Sequence, residues 1–584
     1  MNLFSIAYND IQEILMQLHG KDALKSAPDV FSRIAVDPPK DYQHGDLTTN
    51  AAMVLSKSEG KNPRILADLL LPEIQKLEYV EDAKIAGAGF INIKVKKILL
   101  HKLLASILTL GDLYGSCDVG KGTKINVEYV SANPTGPLHA GHSRPSVAGD
   151  VIANLLLKTG FDVQKEYYIN DGGGQTEKLA KSAYVRYREA LGQDIGEIPE
   201  GLYPGEYLKD VGQGLVQKYG DQFLHAPQEV WLEEFRVFTV NFLMDEIKTT
   251  LEKFGITNMV FRSEDALVKD GSVDAAIETL RAKGLIYKGI LEAPKGVQID
   301  EWESKEQLIF KSSEFGDDVD RPLQRSDGSW TYFAKDLAYH YDKYRRGFKQ
   351  QIDVLGADHG GYVKRIVAGL KALTDGDGVL EVRICQMVNF LDNGQPVKMS
   401  KRAGTFITLE DIIDAVGKDV ARFVMLTRKN DAHIDLDYSK VKEQSKENPV
   451  FYVQYAHARC HSVFRQTKEV FPDMRSSSDI TLDSFNHLSP DEIHLLWFIG
   501  QFPMCVEHAA LLKEPHRIVY YLYDLSALFH SLWNKGKEDA MLRFILPDHK
   551  DTTFARICLI SALQTTLKNG LEILGVKALE EMRS

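Results

Sequence analysis

Two histidines, His139 and His142, stand in the segment SANPTGPLHAGHSR (131–144), among two prolines and two glycines. An alternating apolar run, KINVEYV (124–130), precedes this segment, and a helical pattern over about 143–158 follows it. The turn between a strand and a helix is where open α/β sheets bind ligands. A helix start offers unpaired N–H groups and the positive end of a dipole, both attractive to anions. Gly136 and Gly141 let backbone approach a ligand closely. Pro145 places the first helical turn near 141–144, because proline is tolerated there and not deeper. Both imidazoles can donate to phosphate oxygens. Their alternative use is to cap the helix and satisfy local carbonyls.

A second segment, PVKMSKRAGTFITLEDII (396–413), carries Lys398 and Lys401 around Met399 and Ser400, after an Asn393-Gly394 turn. Two ammonium groups on a turn suit the charge that develops on a leaving pyrophosphate. A solvated surface is the alternative. Glu128 lies in a strand expected to be covered on both faces, where a carboxylate is costly unless paired. Its partner is either a Lys or Arg of the protein or a cationic ligand, and the residues leave both open. Tyr332 and Asp336, in TYFAKDLAYH, share a face if that stretch is helical. Two carboxylates and a phenol could select a guanidinium, a planar fork of five donors, over an ammonium by geometry.

The elements that must position these groups follow from periodicity. The chain has 584 residues, which at roughly 100–200 per domain predicts three to five domains. Residues 1–108 read as a small α/β domain, with helical patterns near 5–18 and 63–77, an alternating AGFINIKV (88–95) and a helix over 97–110. GDLYGS (111–116) reads as a linker. KINVEYV and FDVQKEYYI (161–169) enclose one helix, a βαβ unit that implies a parallel sheet. A mostly helical insertion follows over about 176–285. QIDVLGADHGG (351–361) then resumes the strand–loop–helix pattern, and 382–390 offers a last strand. The expected architecture is α/β and multidomain: a doubly wound, Rossmann-type parallel sheet over 109–404, a linking segment over 405–449, and an all-α bundle over 450–584.

Composition narrows the function classes. No run of about 18 apolar residues is present, so no membrane partner is expected. The stretch that reads as most apolar, 98–110, is broken by His101 and Lys102. MNLFSIAYNDIQEIL carries Asp10 and Glu13 and reads as an amphipathic helix rather than a targeting peptide. The five cysteines lack any CxxC pair, which argues against zinc and a disulfide framework and for a reducing cytoplasm. The net charge of −12 does not exclude a local basic surface for nucleic acid.

HAGH and KMSK together resemble the two signatures of class I aminoacyl-tRNA synthetases. SANPTGPLHAGHSR, YINDGGGQ, YPGEYLKD, GADHGGYVKR and ENPVFYVQYAHAR resemble arginyl-tRNA synthetases more narrowly. That resemblance runs from QHGDLTTNAAMVLSK to LGVKALEEM, essentially the whole chain. It implies an ATP-dependent ligase that forms arginyl-adenylate with Mg²⁺ and transfers arginine to the 3′-terminal adenosine of tRNA(Arg). His139, His142, Lys398 and Lys401 would be catalytic. Gly141, Gly356, Asp358, His359, Met399 and Ser400 would join the histidines around ATP. Glu128, Tyr332 and Asp336 would surround the guanidinium, and Ser131 and Asn133 would approach the amino-acid backbone or the reacting groups.

For tRNA, the resemblance points to Phe90 and Asn92 at a D-loop base, and to Tyr452, Tyr455 and Arg459 on the anticodon arm. Core packing is the alternative for Phe90 and for the tyrosine stripe. The resemblance further implies a D-loop-binding role for 1–108, a stem-contact role for 405–449, an anticodon-binding role for 450–584, and a cytoplasmic monomer without zinc. The lysine motif is intact, whereas many members of the family carry a degraded one. Two rival readings are a small-metabolite nucleotidyltransferase with the same first signature and a tRNA-binding paralogue without catalysis.

Overall fold

The computed structural model describes residues 1–291, 305–397, 407–442 and 448–582. Contacts gather the chain into two units, Met1–Cys117 with Gln444–Ser584, and Asp118–Glu443.

In the first unit, β1 (Val36–Asp37), β2 (Leu47–Thr49), β3 (Val80–Ala86) and β4 (Phe90–Val95) form an antiparallel sheet in the order β1-β2-β4-β3. Successive side chains of a strand face opposite sides. Along β4, Ile91, Ile93 and Val95 are therefore buried, whereas Phe90 and Lys94 are exposed and Asn92 half-buried. Phe90 is 39% exposed, so a core role for it does not hold. The helix Lys97–Leu110 has the expected bounds.

GDLYGS is not a free linker. Tyr114 is fully buried and its hydroxyl donates to Ile499 O at 2.9 Å. Asn569 Nδ2 donates to Gly111 O and Tyr114 O at 3.0 and 2.9 Å. Gly115, at φ +90°, lies where a Cβ would come within 2.5 Å of the Phe502 ring. The hexapeptide is thus bolted to the helical bundle, whose main helices are Pro449–Val470, Pro490–Ile499, Phe502–Leu512, His516–Glu538 and Lys550–Ile573. Among the described residues, 490–512 is the one stretch long and apolar enough, by length and composition, to cross a membrane (mean hydropathy 1.4), rather than 98–110. They break into two helices at Gly500-Gln501, and 56% of the window is packed inside the protein.

The second unit contains, in chain order, β5 (Lys124–Tyr129), β6 (Asp162–Ile169), β7 (Met259–Ser263), β8 (Ile286–Gly289), β9 (Gln307–Phe310), β10 (Arg321–Gln324), β11 (Gln350–Gly356), β12 (Val379–Cys385), β13 (Val388–Asp392), β14 (Gln395–Pro396) and β15 (Ile434–Asp437). The central sheet is parallel throughout, in the order β12-β11-β5-β6-β7. The strand order reverses between β5 and β11, which makes the crevice beyond their carboxyl ends the ligand position of a doubly wound fold. β8–β10 form a small antiparallel sheet, and β13 pairs with β14 and β15.

Two expectations change here. The stretch read as a helical insertion carries β7, the fifth strand of the central sheet. The single strand expected over 382–390 is two, because the chain leaves the central sheet at Gln386, whose N–H donates to Asn430 O at 2.8 Å.

The helix Ala140–Lys158 lies on this sheet at unusually close range. A Cβ on Gly149 would fall 2.3 Å from Tyr129 Cγ, and Tyr129 is fully buried with its hydroxyl on Asp150. Gly149→Ala should therefore destabilise the fold by about 1–3 kcal/mol, the usual cost of overpacking a core. Thermal or urea denaturation checks this; a variant as stable as the parent would mean that Tyr129 can withdraw.

Candidate active site

At the reversal of strand order, the helix Tyr332–Arg345 drives charged side chains into the sheet. Lys343 is fully buried, with its Nζ 2.6 Å from Glu128 Oε2 on β5 and 3.3 Å from Asp353 Oδ1 on β11. Burial opposes its charge, but Asp353, Glu128 and Glu166 outweigh it and hold the Lys343 pKa above its ordinary value. Of the two partners left open for Glu128, the structure shows the internal one. Glu128 Oε1 also accepts from the Ser131 hydroxyl at 2.8 Å. Burial still raises its pKa, only partly offset by Lys343.

His340 lies beside this pair, Nδ1 3.0 Å from Gln351 Oε1, and burial followed by the Lys343 charge pushes its pKa down to about 3. Glu128, His340 and Asp353 have ligand atoms within 4.8 Å of one another, a grouping that could hold a metal. The Lys343 ammonium against both carboxylates fills that charge position, so the cluster does not fit a resident ion.

Asp336, two turns earlier on the same helix, has a different environment. Tyr362 Oη donates to its Oδ2 at 2.5 Å. Among the described residues no Lys, Arg or His forms an ion pair with it. Burial, with the negative charges of Glu264, Glu128 and Asp353, pushes its pKa up to about 7, against the Tyr362 hydrogen bond. Glu264 is itself buried and paired with Lys335 at 2.7 Å. Tyr332 opens the helix and is 41% exposed. The result is a cluster of three carboxylates (Glu128, Glu264 and Asp336) with the phenols of Tyr168 and Tyr362, in which Asp336 has no counter-cation among the described residues.

The loop after β5 is strained. Val130 and Ser131 have φ of 72° and 37°, which side-chain-bearing residues rarely adopt. The Tyr168 N–H donates to Ser131 Oγ at 3.0 Å and Tyr167 Oη donates to Ala132 O at 2.7 Å, holding the bend. Asn133 is engaged by Asn170 and Gln175 at 3.0 and 3.2 Å.

At the far end of this loop His139 is the N-cap of Ala140–Lys158, three residues earlier than the sequence pattern suggests, with Pro145 beyond the first turn. His139 Nδ1 accepts from the Gly141 N–H and His142 Nδ1 from the His139 N–H, both at 3.1 Å. The rings lie 3.9 Å apart. The expected row of unpaired N–H groups is absent: Ala140 donates to Ile407 O at 2.9 Å, Gly141 to His139 Nδ1, and His142 to His139 O at 2.8 Å. Capping does not remove the histidines from ligand chemistry. A neutral ring whose Nδ1 accepts carries its proton on Nε2, so each is set as an Nε2–H donor.

The chain that follows the second signature, from Ile407 on, approaches the same helix end. Thr408 bridges to His139, and the Leu409 N–H donates to Leu138 O at 2.8 Å. Lys398, Met399, Ser400 and Lys401 lie outside the described residues. Gly356 ends β11, and Asp358 and His359 follow on the short 3₁₀ helix Ala357–Tyr362, with His359 Nε2 3.6 Å from Asp358 Oδ2. That helix ends in Tyr362, the Asp336 partner.

In the other unit, Phe90 and Asn92 share the solvent face of β4, with Thr48 and Lys84 opposite Asn92. Tyr455 is exposed, and the Arg459 guanidinium lies 4.1 Å from its ring centre and 4.7 Å from that of Trp533. Tyr452 packs on Tyr523 and His530. This is a surface cluster of rings around one cation rather than core.

Lys343, Tyr362, Glu264 and Tyr168 were not found from sequence. Lys343 and Tyr339 do sit at helical spacing from Asp336 and Tyr332, a signal that was available.

Comparison with known proteins agrees with this geometry. Family models match at residues 12–95 (arginyl tRNA synthetase N terminal domain), 103–460 (tRNA synthetases class I (R), catalytic domain) and 453–582 (DALR anticodon binding domain). The chain is 51% identical over 584 residues to the arginine–tRNA ligase of Parvibaculum lavamentivorans and 50% over 583 to that of Ruegeria pomeroyi, in each case over 100% of both chains. Thermus thermophilus arginyl-tRNA synthetase shares the fold, with a TM-score of 0.75 at 20% identity over 99% of this chain and 100% of that one. The chain belongs to the arginine–tRNA ligase family of class I aminoacyl-tRNA synthetases.

Proposed function

We propose that this protein is an ATP-dependent arginine–tRNA ligase, with L-arginine, ATP and tRNA(Arg) as substrates, acting as a cytoplasmic monomer. The observation that carries the choice of amino acid is Asp336, which among the described residues has no counter-cation in a cluster of carboxylates and phenols. An arginine side chain supplies the missing positive charge. Its planar fork can meet Asp336 and the second oxygen sites of Glu128 while Tyr332 flanks it. Ser131 and Asn133 border the amino-acid backbone.

In the first step the arginine carboxylate attacks the α-phosphorus of ATP, the P–O bond to the leaving group breaks, and pyrophosphate departs. The substrate carboxylate is already the nucleophile, so no protein base is required, and rate comes from alignment and charge stabilisation. His139 and His142 donate from Nε2 to phosphate oxygens beside Gly141. Lys398 and Lys401, with Met399 and Ser400 between them, neutralise the pyrophosphate. Gly356, Asp358 and His359 receive the ribose. Magnesium enters on the ATP phosphates as part of the substrate, and no side chain is assigned to it. In the second step the 2′-hydroxyl of the terminal adenosine attacks the adenylate carbonyl and AMP leaves. Phe90 stacks on a D-loop base whose edge Asn92 reads, and Tyr452, Tyr455 and Arg459 face the anticodon arm.

Arginine-dependent ATP–pyrophosphate exchange, with and without tRNA and with lysine and glutamine as controls, tests the whole reading. Exchange is expected with arginine and not with lysine or glutamine; none with arginine under either condition would overturn it and favour a non-catalytic tRNA binder.

Asp336→Asn should raise the arginine KM about 100-fold, since truncating a buried charge pair costs roughly 2–5 kcal/mol, and should spare the ATP KM. An equal loss for both substrates would contradict the guanidinium assignment. Arginine affinity should also fall with pH. The carboxyl holds its proton up to about pH 7 in the unliganded protein, and a guanidinium needs it ionised. Below that point affinity should drop by up to about tenfold per pH unit, with proton release on binding visible by calorimetry in buffers of different ionisation enthalpy. The same raised pKa makes the unliganded fold lose stability as pH rises from about 4 to about 7, and bound arginine should restore it. A pH-independent affinity would count against Asp336.

Phe90→Ala should raise the tRNA KM by about 5- to 100-fold, the loss of one stacked base, with arginine and ATP binding unchanged. An unchanged tRNA KM would remove Phe90 from the tRNA surface.

A further inference from the structure

Arg144, two residues past His142, is 1% exposed and forms no ion pair among the described residues. Its guanidinium instead donates to four backbone carbonyls. Nη1 reaches Gln386 O at 3.1 Å and Ala432 O at 2.5 Å; Nη2 reaches Lys429 O at 2.7 Å and Arg428 O at 3.4 Å. These carbonyls belong to two separate stretches. Gln386 is the point where the chain leaves the central sheet between β12 and β13, before the second signature. Residues 428–432 follow the helix Lys418–Met425 and lead into β15, after the second signature. The Gln386 N–H donates to Asn430 O, so the two stretches are also tied to each other.

A second tie lies at the helix start, where Ile407 O accepts from Ala140 and Leu138 O accepts from Leu409. The helix that begins at His139 is thus fixed to backbone on both sides of the lysine signature. We propose that Arg144 is a positioning residue for the activation step, holding the first-signature helix against the backbone that flanks Lys398 and Lys401. This rests on the functional reading above, in which both signatures act on one ATP molecule.

Only a guanidinium fits the task. It presents five donors in a rigid plane, enough to bridge two chain segments, whereas a lysine offers three from one point. A buried cation hydrogen-bonded only to carbonyls, with its Nε unpaired and the Asp431 charge as a minor support, is costly, which makes a packing role by itself a poor account of it. An apolar side chain would fill the space at lower electrostatic cost.

The test uses the full-length protein, with rates normalised by active-site titration. Arg144→Lys and Arg144→Gln are expected to lower kcat of arginine-dependent ATP–pyrophosphate exchange about 10- to 100-fold, the scale of an ångström-level misalignment. The arginine KM, and the rate of transfer to tRNA from added arginyl-adenylate, should stay within about twofold, because neither uses the pyrophosphate contacts. Arg144→Lys keeps the charge and decides the matter if Arg144→Gln does not fold. Exchange and transfer falling together, or neither falling, would overturn the proposal. Lys401→Ala separates the two levels. If it leaves exchange unchanged, the functional reading falls and this proposal with it. If it slows exchange while Arg144→Lys does not, only the Arg144 proposal falls.

Discussion

One buried ammonium organises the catalytic unit. Lys343 reaches from a helix into the central sheet and sits between carboxylates of β5 and β11, the two strands where the order reverses. Without it, Glu128 and Asp353 would be uncompensated charges in the sheet, a cost of several kcal/mol each. With it, the helix Tyr332–Arg345 is fixed in rotation. That rotation decides where Asp336 and Tyr332 point, because they occupy earlier turns of the same helix. In the proposed function, the site for a cationic side chain is a by-product of neutralising the sheet: Glu128 pairs with the protein's own lysine, and Asp336 has no cation among the described residues.

The same economy governs the nucleotide end. His139 and His142 use Nδ1 to close the helix start, which dictates the tautomer that exposes an N–H donor on Nε2. Capping through Nδ1 is therefore compatible with the proposed phosphate contact through Nε2.

The sequence was most informative where one face of an element is buried. β5, β6, β11 and the helix Lys97–Leu110 lie where periodicity puts them, because burial writes a pattern of period two or 3.6 into the residues. β7 was missed because it is a short edge strand in a helical context, with Val260 exposed. The break at Gln386 was missed because its cause, a hydrogen bond to Asn430 and the Arg144 clamp, is tertiary and leaves no local signal. GDLYGS has the composition of a linker, and only the bundle reveals that Tyr114 is an anchor. In the site, Glu128 was identifiable as a charge in an apolar strand, and Asp336 by its spacing of four from Tyr332. That Lys343 would claim one and Tyr362 the other depends on helix rotation and on a loop after β11, which no spacing encodes.

The bend at Val130-Ser131 has a consequence for the protein's history and its redesign. A β-branched residue at positive φ costs of the order of 1–3 kcal/mol and persists only because neighbours over-determine it. Here those neighbours are Glu128, Tyr167 and Tyr168, of which Glu128 and Tyr168 belong to the candidate site. The loop is a loaded spring whose latch is the proposed arginine site. A glycine at 130 would make a sturdier molecule by relaxing the bend, and would at the same time release the latch, so the easiest gain in durability available to this chain is one that erodes its discrimination.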